Sequence, residues 1–259
     1  MTGPASPSPT RGASPHEHAP PDGDGEADRV RDAVLAAMAE FCHGAGHEIN
    51  NPAAAILGRV ALLSRKHDDP ELRRDLRTIA RQALRVRDMI ADALLFADPP
   101  PLRAEPLDLA EVVEGALAGL REHAADAGCV LETDLAPAPL VGDPTMIAAA
   151  AAALGRNAIE AGASRLRVRV RSSRSQITLW VADDGPGFSE ADRRHAFDPF
   201  YSGRQAGRGL GFGLPKCWRV VTLHGGTVRV RSRPGATAFR VALPPAPPPA
   251  GAPRLNAPR

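Results

Sequence analysis

Between residues 72 and 94 the apolar side chains Leu72, Leu76, Ile79, Ala83, Val86, Ile90 and Leu94 step by four and three without interruption. That period fits a helix and excludes a strand, and it leaves a narrow stripe of the a/d kind over about three heptads. A stripe this narrow must be covered by another helix. The preceding segment supplies one. From Asp28 to about Ser64, Val34, Met38, Phe41 and Ala45 follow the same spacing, and Ile56, Val60 and Leu63 resume it after Pro52. The turn at 66–70 is short, so the two helices are predicted to fold back as an antiparallel hairpin. A lone hairpin leaves apolar surface exposed, and two copies are therefore expected to pair into a four-helix bundle.

Within the first helix, residues 46–52 read Gly-His-Glu-Ile-Asn-Asn-Pro. His47 and Asn51, four apart, share a face, with Glu48 beside them. Pro52 removes a backbone N–H in mid-helix. Packing requires none of this, so the cluster asks for chemistry. His43 and His47 are also four apart, but a zinc-protease helix would need His at 51, where Asn stands.

The chain has 259 residues, 32 basic and 30 acidic, a net charge of +2, and 43% hydrophobic residues. Such a balance gives no argument for nucleic acid or for an anionic membrane. No run of about 18 apolar residues occurs, and the first residues lack the apolar core of a signal peptide. Cys42, Cys129 and Cys217 form neither a disulfide framework nor a zinc motif, which fits a reducing compartment. A cytoplasmic protein is expected. Residues 1–27 and 244–259, rich in Pro, Gly and Ala, are expected to be disordered tails.

A linker is predicted at 99–106, after a hairpin domain at 28–98. Beyond it, over 107–243, the pattern is mixed α/β. Asp108 with Glu111 suggests a capping box for a helix to about Ala127. A strand is expected at 129–135, then a helix at 144–162 with Asp143 as cap and Pro144 in its first turn. Arginines at 165, 167, 169 and 171 alternate with Leu166, Val168 and Val170, as in a strand with one wet face. A nucleic-acid face is the weaker reading of that stripe, since no aromatics are interleaved. A second strand spans 175–182, a Gly-rich stretch 184–213, and a helix runs on to about Leu223. Strands at 226–233 and 236–242 close as a hairpin across Pro234-Gly235.

Three features of this half are weak alone and strong in series. Asn157 sits mid-helix in Leu154-Gly-Arg-Asn-Ala-Ile-Glu-Ala161. Asp183-Asp-Gly-Pro-Gly187 ends a strand. Gly207-Arg-Gly-Leu-Gly-Phe-Gly213 opens a helix whose N-terminus offers N–H groups to phosphate oxygens. Together with residues 46–52, Phe197-Asp-Pro-Phe200 and His224-Gly-Gly226, this order of motifs resembles the sensor histidine kinases. The likeness spans roughly 30–243, and the phosphoacceptor box is most similar to that of nitrogen-regulator-type kinases. It implies a dimeric phosphoacceptor hairpin followed by an α/β two-layer sandwich of the gyrase, Hsp90, histidine kinase and MutL type.

The resemblance assigns roles by position. His47 would accept the γ-phosphoryl group of ATP, and Glu48 would hydrogen-bond the other ring nitrogen or take its proton. Asn157 would ligate Mg²⁺, Asp183 would accept from the adenine amino group, and Gly185 and Gly187 would make room for the base. Gly209, Gly211 and Gly213 would line the phosphates, under a short lid at 201–208 from which Arg204 would reach the terminal phosphate. Glu48 and Asn51 have the spacing at which relatives orient water against a partner's phosphoaspartate, so phosphatase activity is a second expectation. The implied partners are a second copy of the chain, the receiver domain of a response regulator and a separate sensor protein. Departures from the pattern are Ala153, where the family commonly carries Asn, His or an ATPase Glu, together with Leu210 and Phe212 in the second glycine box. Ala153 argues against gyrase-type hydrolysis. The alternatives are an ATPase of the same superfamily and a scaffold that binds a regulator without phosphorylating it.

Overall fold

The computed structural model describes residues 23–201 and 211–246. Helix α1 (Gly23–Lys66) and helix α2 (Pro70–Ala97) form the expected hairpin. The helix begins earlier than predicted, so residues 23–27 belong to it and not to a tail; residues 1–22 lie outside the described ones. Asp69 caps α2, its carboxylate accepting from the Glu71 N–H at 3.0 Å, and Pro70 stands where a missing N–H costs nothing. The predicted seam is divided. Leu76 and Ala83 are buried, whereas Ile79 and Val86 remain about half exposed, as does Val34 of α1, and Phe41 is 70% exposed.

The α/β half comprises β1 (Glu105–Asp108), α3 (Leu109–Ala118), α4 (Arg121–Asp126), β2 (Val130–Leu135), β3 (Pro139–Gly142) and α5 (Pro144–Glu160). There follow β4 (Arg165–Ser172), β5 (Ile177–Asp183), α6 (Glu190–His195), α7 (Gly213–Leu223), β6 (Thr227–Arg233) and β7 (Ala236–Leu243). Five strands form one sheet in the order β2-β4-β5-β7-β6, with β2 and β4 parallel and the other pairs antiparallel. Alternation decides its two faces. Leu166, Val168, Val170, Leu179, Val181, Phe239 and Val241 point into a core shared with α3, α5 and α7. The arginines of β4 point to solvent, where Arg167 and Arg169 meet Glu132 and Asp134 of β2. The two-layer sandwich follows from one apolar face and one wet face.

Several details depart from the sequence expectations. The helix predicted from Asp108 to Ala127 is two helices, broken at Gly119 so that Leu120 turns into the core at 7% exposure. Asp108 does cap α3, but its carboxylate accepts from Ala110 and from Ala138 across the loop, and no reciprocal bond from Glu111 completes a box. Helix α5 stops at Glu160 because Gly162 turns left-handed (φ 80°). The expected linker contains the start of β1, which pairs with β3 as a separate two-stranded sheet. Four-residue strands carrying Pro106 and Pro139 give little periodic signal. The Gly-rich stretch contains α6, whose Ser189 and Asp192 form a capping box. The expected tail from 244 begins ordered, as the Pro245 carbonyl accepts from the Val141 N–H at 2.8 Å.

His224, at the end of α7, ties the two sheets' surroundings together. It is 1% exposed, its Nδ1–H donates to the Val220 carbonyl (2.8 Å), and its Nε2 accepts from the Asp143 N–H (2.9 Å). Both bonds require the neutral ring. Burial lowers its pKa against the opposing effects of the Val220 bond and the Asp143 charge. A histidine kept neutral by folding contributes stability above its unfolded pKa and loses it as pH falls through the folded value. Urea unfolding should therefore show a lower midpoint at pH 5 than at pH 7.5. Replacing His224 with Phe leaves the Asp143 N–H unpaired, should cost about 1–3 kcal/mol at neutral pH, and should reduce that pH dependence.

Candidate active site

His47, Glu48 and Asn51 are all exposed on α1. His47 and Asn51 share a face as expected. Among the described residues no hydrogen bond or ion pair joins Glu48 to the His47 ring; neighbouring positions on a helix diverge by about a quarter turn. Pro52 lies within the helix, and its missing N–H leaves the Glu48 carbonyl without its i+4 donor. A Cβ on Gly46 would touch Ile90 of α2 at 3.6 Å. Gly46 thus faces Ile90 across the hairpin, which sets His47 beside that level of α2. His43 bonds back to the Ala39 carbonyl (2.8 Å) and has no part in a metal cluster among the described residues.

The second candidate region is a cavity of about 360 Å³ between the α/β half and α2. Asn157 and Ala153 reach it from α5, Gly187 and Phe188 from the loop after β5, and Gly211, Gly213 and Lys216 from the start of α7. Met89 and Asp92 of α2 close it. His47 does not line this cavity, and neither do Asp183 and Gly185. Arg204 and Gly209 lie outside the described residues, as does Leu210.

Asp183 ends β5 almost buried, its carboxylate accepting from the Gly185 N–H at 3.0 Å. A Cβ on Gly185 would stand 2.8 Å from that same oxygen, so the glycine lets the loop close around the carboxylate. Across the ladder stands Thr237, also buried, a polar neighbour that sequence reasoning did not pick out. The remaining glycines divide by cause. Gly187 (φ 82°) would bring a Cβ within 2.4 Å of the Arg233 carbonyl, and Gly211 (φ 74°) within 2.4 Å of the Tyr201 carbonyl. Both are demanded by the protein's own backbone. Gly213 is different: no described residue lies within 4 Å of a Cβ placed there. It opens α7, whose N-cap residue Phe212 makes no side-chain cap bond, so among the described residues the N–H groups of Gly213 and Leu214 are left open at the cavity wall.

Phe212, a departure from the glycine-box pattern, has a structural use. It is buried between Phe96 of α2 (ring centroids 6.1 Å) and Phe200 (4.8 Å). Cys42, Ala93 and Trp218 complete this apolar junction between hairpin and α/β half. Phe200 holds a left-handed backbone (φ 65°), uncommon outside glycine. Lys216, one helical turn after Phe212, is buried and donates to Asp92 of α2. Neither Lys216 nor Asp92 was anticipated. The available signal was composition, since only two of the 32 basic residues are lysines.

Residues 37–100 match the His Kinase A (phospho-acceptor) domain, and residues 142–247 match the histidine kinase-, DNA gyrase B- and HSP90-like ATPase family. The chain is 32% identical over 247 residues to the sensory histidine kinase/phosphatase NtrB of Rhodobacter capsulatus, covering 86% of this chain and 66% of that protein. The chain belongs to the sensor histidine kinases. The C4-dicarboxylate transport sensor protein DctB of Rhizobium meliloti is 32% identical over 227 residues, 84% of this chain and 36% of its own length. This histidine kinase chain thus spans between about a third and two thirds of those relatives. Among solved structures, the full-length kinase ShkA in complex with AMPPNP shares the fold (TM-score 0.64, 22% identity, 83% of this chain and 47% of that one). Histidine kinase ThkA in complex with the response regulator TrrA does so too (TM-score 0.58, 22% identity, 86% of this chain and 66% of that one).

The division of the glycines has a direct test. Gly187→Ala must push against backbone in a left-handed conformation and should lower stability by about 1–3 kcal/mol in denaturant unfolding. Gly213→Ala should leave the unfolding midpoint nearly unchanged while weakening nucleotide binding measured by calorimetry.

Proposed function

We propose that the cavity holds Mg·ATP and that the γ-phosphoryl group passes from it to His47 and then to an aspartate in the receiver domain of a response regulator. The observation that carries this reading is the open, uncapped start of α7 at Gly213, facing the same cavity as Asn157. The N–H groups there suit phosphate oxygens, and a helix N-terminus favours negative charge. Asn157 offers a carboxamide oxygen, a donor that suits Mg²⁺, which keeps most of its waters. When bound, the ion would neutralise phosphate charge. Asp183, buried behind the Gly185 loop and off the cavity wall as it stands, would receive the adenine amino group once that loop admits the base. Arg204 and Gly209 belong to the same proposed set.

Phosphoryl transfer depends on positioning and charge stabilisation more than on covalent chemistry by the protein. One ring nitrogen of His47 would attack the γ-phosphorus as the bond to ADP breaks. The proton on the other nitrogen would leave to Glu48, once the side chains turn toward each other. His47 lies outside the cavity in this arrangement, so the ATP-binding domain (107–243) must re-seat on the hairpin (28–98) before transfer. The half-exposed Ile79 and Val86, with Phe41 and Val34 of α1, support a homodimeric bundle in which a second copy covers them. ATP and receiver domains belong to the cytoplasm, and three free cysteines fit that setting. No described helix is long and apolar enough to cross a membrane, and nucleic acid is not among the proposed partners.

A second activity, dephosphorylation of the partner, is favoured by the exposed Glu48 and Asn51 on the face of His47. The relative NtrB is described as a kinase/phosphatase. Gyrase-type hydrolysis is disfavoured, because the α5 position one turn before Asn157 that faces the cavity is Ala153.

Incubation with γ-labelled ATP and Mg²⁺ should give alkali-stable, acid-labile label on the protein, and His47→Gln should abolish it. Label that survives in this variant removes His47 from its role, and free phosphate without protein label favours an ATPase. Asn51→Ala should keep the label but slow release of phosphate from a phosphorylated receiver domain by about 10²-fold or more, the usual weight of a positioned water.

A further inference from the structure

Lys216 is the lysine of an arginine-rich chain that lies inside the protein, 5% exposed. Its ammonium donates to the Asp92 carboxylate of α2, and both residues line the cavity assigned above to the nucleotide. A purely structural ion pair between two packed elements is better served by the planar fork of arginine, which this chain uses almost everywhere else. A lysine differs in being a compact point charge on a flexible stem, able to redirect its donors. The surroundings give it two destinations. One is Asp92, which it occupies. The other is the cavity itself, three residues along α7 from Gly213, where the free helix N–H groups would meet phosphates.

Charge favours such an exchange. On the cavity wall α2 contributes Arg85 against Asp88 and Asp92, whereas the α/β half contributes Arg156 and Lys216 against Glu160 and Asp192. Among the described residues the docked hairpin therefore makes the wall net negative, the wrong sign for a polyphosphate. We propose that Lys216 is a phosphate-binding residue of the nucleotide site and that Asp92 competes with the nucleotide for it, so that ATP binding and docking of the hairpin against α7 oppose one another. This rests on the reading of the cavity as the ATP site. Linkage makes the opposition reciprocal: ATP releases Asp92, and a hairpin held against α7 weakens ATP. The arrangement described here, with Lys216 on Asp92 and the Phe96–Phe212 contact made, is then the resting one.

The test is calorimetric titration of the full chain with Mg·ATP, Mg·ADP and adenosine. Asp92→Asn should tighten ATP about five- to tenfold, within the usual range of coupling between two binding events, and leave adenosine unchanged. Lys216→Met should weaken ATP and ADP by about tenfold but not adenosine, and adding Asp92→Asn to it should restore nothing. The gain of affinity in Asp92→Asn cannot come from misfolding, so that arm stands even if Lys216→Met is unstable. With a wild type that binds ATP, unchanged or weaker ATP binding in Asp92→Asn overturns the competition. An equal effect of Lys216→Met on adenosine and ATP overturns phosphate contact. A wild type that binds no ATP overturns the reading of the cavity itself, and this proposal with it.

Discussion

Helix α2 is one rod on which three partners make claims, and the rest of the molecule is arranged around how those claims are met. Toward α1 it buries Leu76 and Ala83; its half-exposed Ile79 and Val86 are left for a further surface. Near its C-terminal end it gives Ala93 and Phe96 to an apolar junction with Phe212, and Asp92 to a part-buried pair with Lys216. Apolar burial is roughly additive with area and indifferent to identity, so the apolar contacts alone would let these elements slide. The Asp92–Lys216 pair is directional. Lys216 is buried and Asp92 only partly so, so removing the carboxylate leaves a largely desolvated ammonium without its partner, and this fixes where α7 stands on the hairpin.

From that placement the site follows. The start of α7 carries Gly213 and Lys216 to the cavity wall, α5 brings Asn157 opposite, and α2 closes the remaining side. The sheet underneath does no chemistry of its own. Its strands bury Val168, Val181 and Phe239 against α5 and α7, which holds the helices at fixed separation, and it ends β5 at Asp183. The phosphoacceptor side is the opposite kind of surface. His47, Glu48 and Asn51 stand exposed, where a nucleotide-bearing domain and a partner receiver would each have access in turn.

Much of this was legible in the sequence, for identifiable reasons. The four-and-three spacing from Leu72 to Leu94 is long enough to define a helix, and the Arg165–Arg171 alternation defines a half-wet strand. Asp143 with Pro144 marks the start of α5 because cap chemistry is local. What escaped was set by contacts distant in sequence. The strands β1 and β3 are four residues each and exist only as a pair. The break at Gly119 is dictated by Leu120 seeking the core. For the glycines, spacing alone could not separate Gly187 and Gly211, required by carbonyls of Arg233 and Tyr201, from Gly213, which the protein leaves open. Phe212 looked like a flaw in a phosphate loop and is instead an anchor on α2. Lys216 and Asp92 are 124 positions apart, and no local pattern connects them.

The central claim is that nucleotide phosphates sit at the open start of α7 opposite Asn157. A crystal structure of the chain with Mg²⁺ and a non-hydrolysable ATP analogue tests it most directly. The account predicts phosphate oxygens on the N–H groups at Gly213, the metal on the Asn157 carboxamide oxygen and the adenine amino group on Asp183. A nucleotide bound elsewhere, or one bound in this cavity with its phosphates directed away from α7, would contradict it.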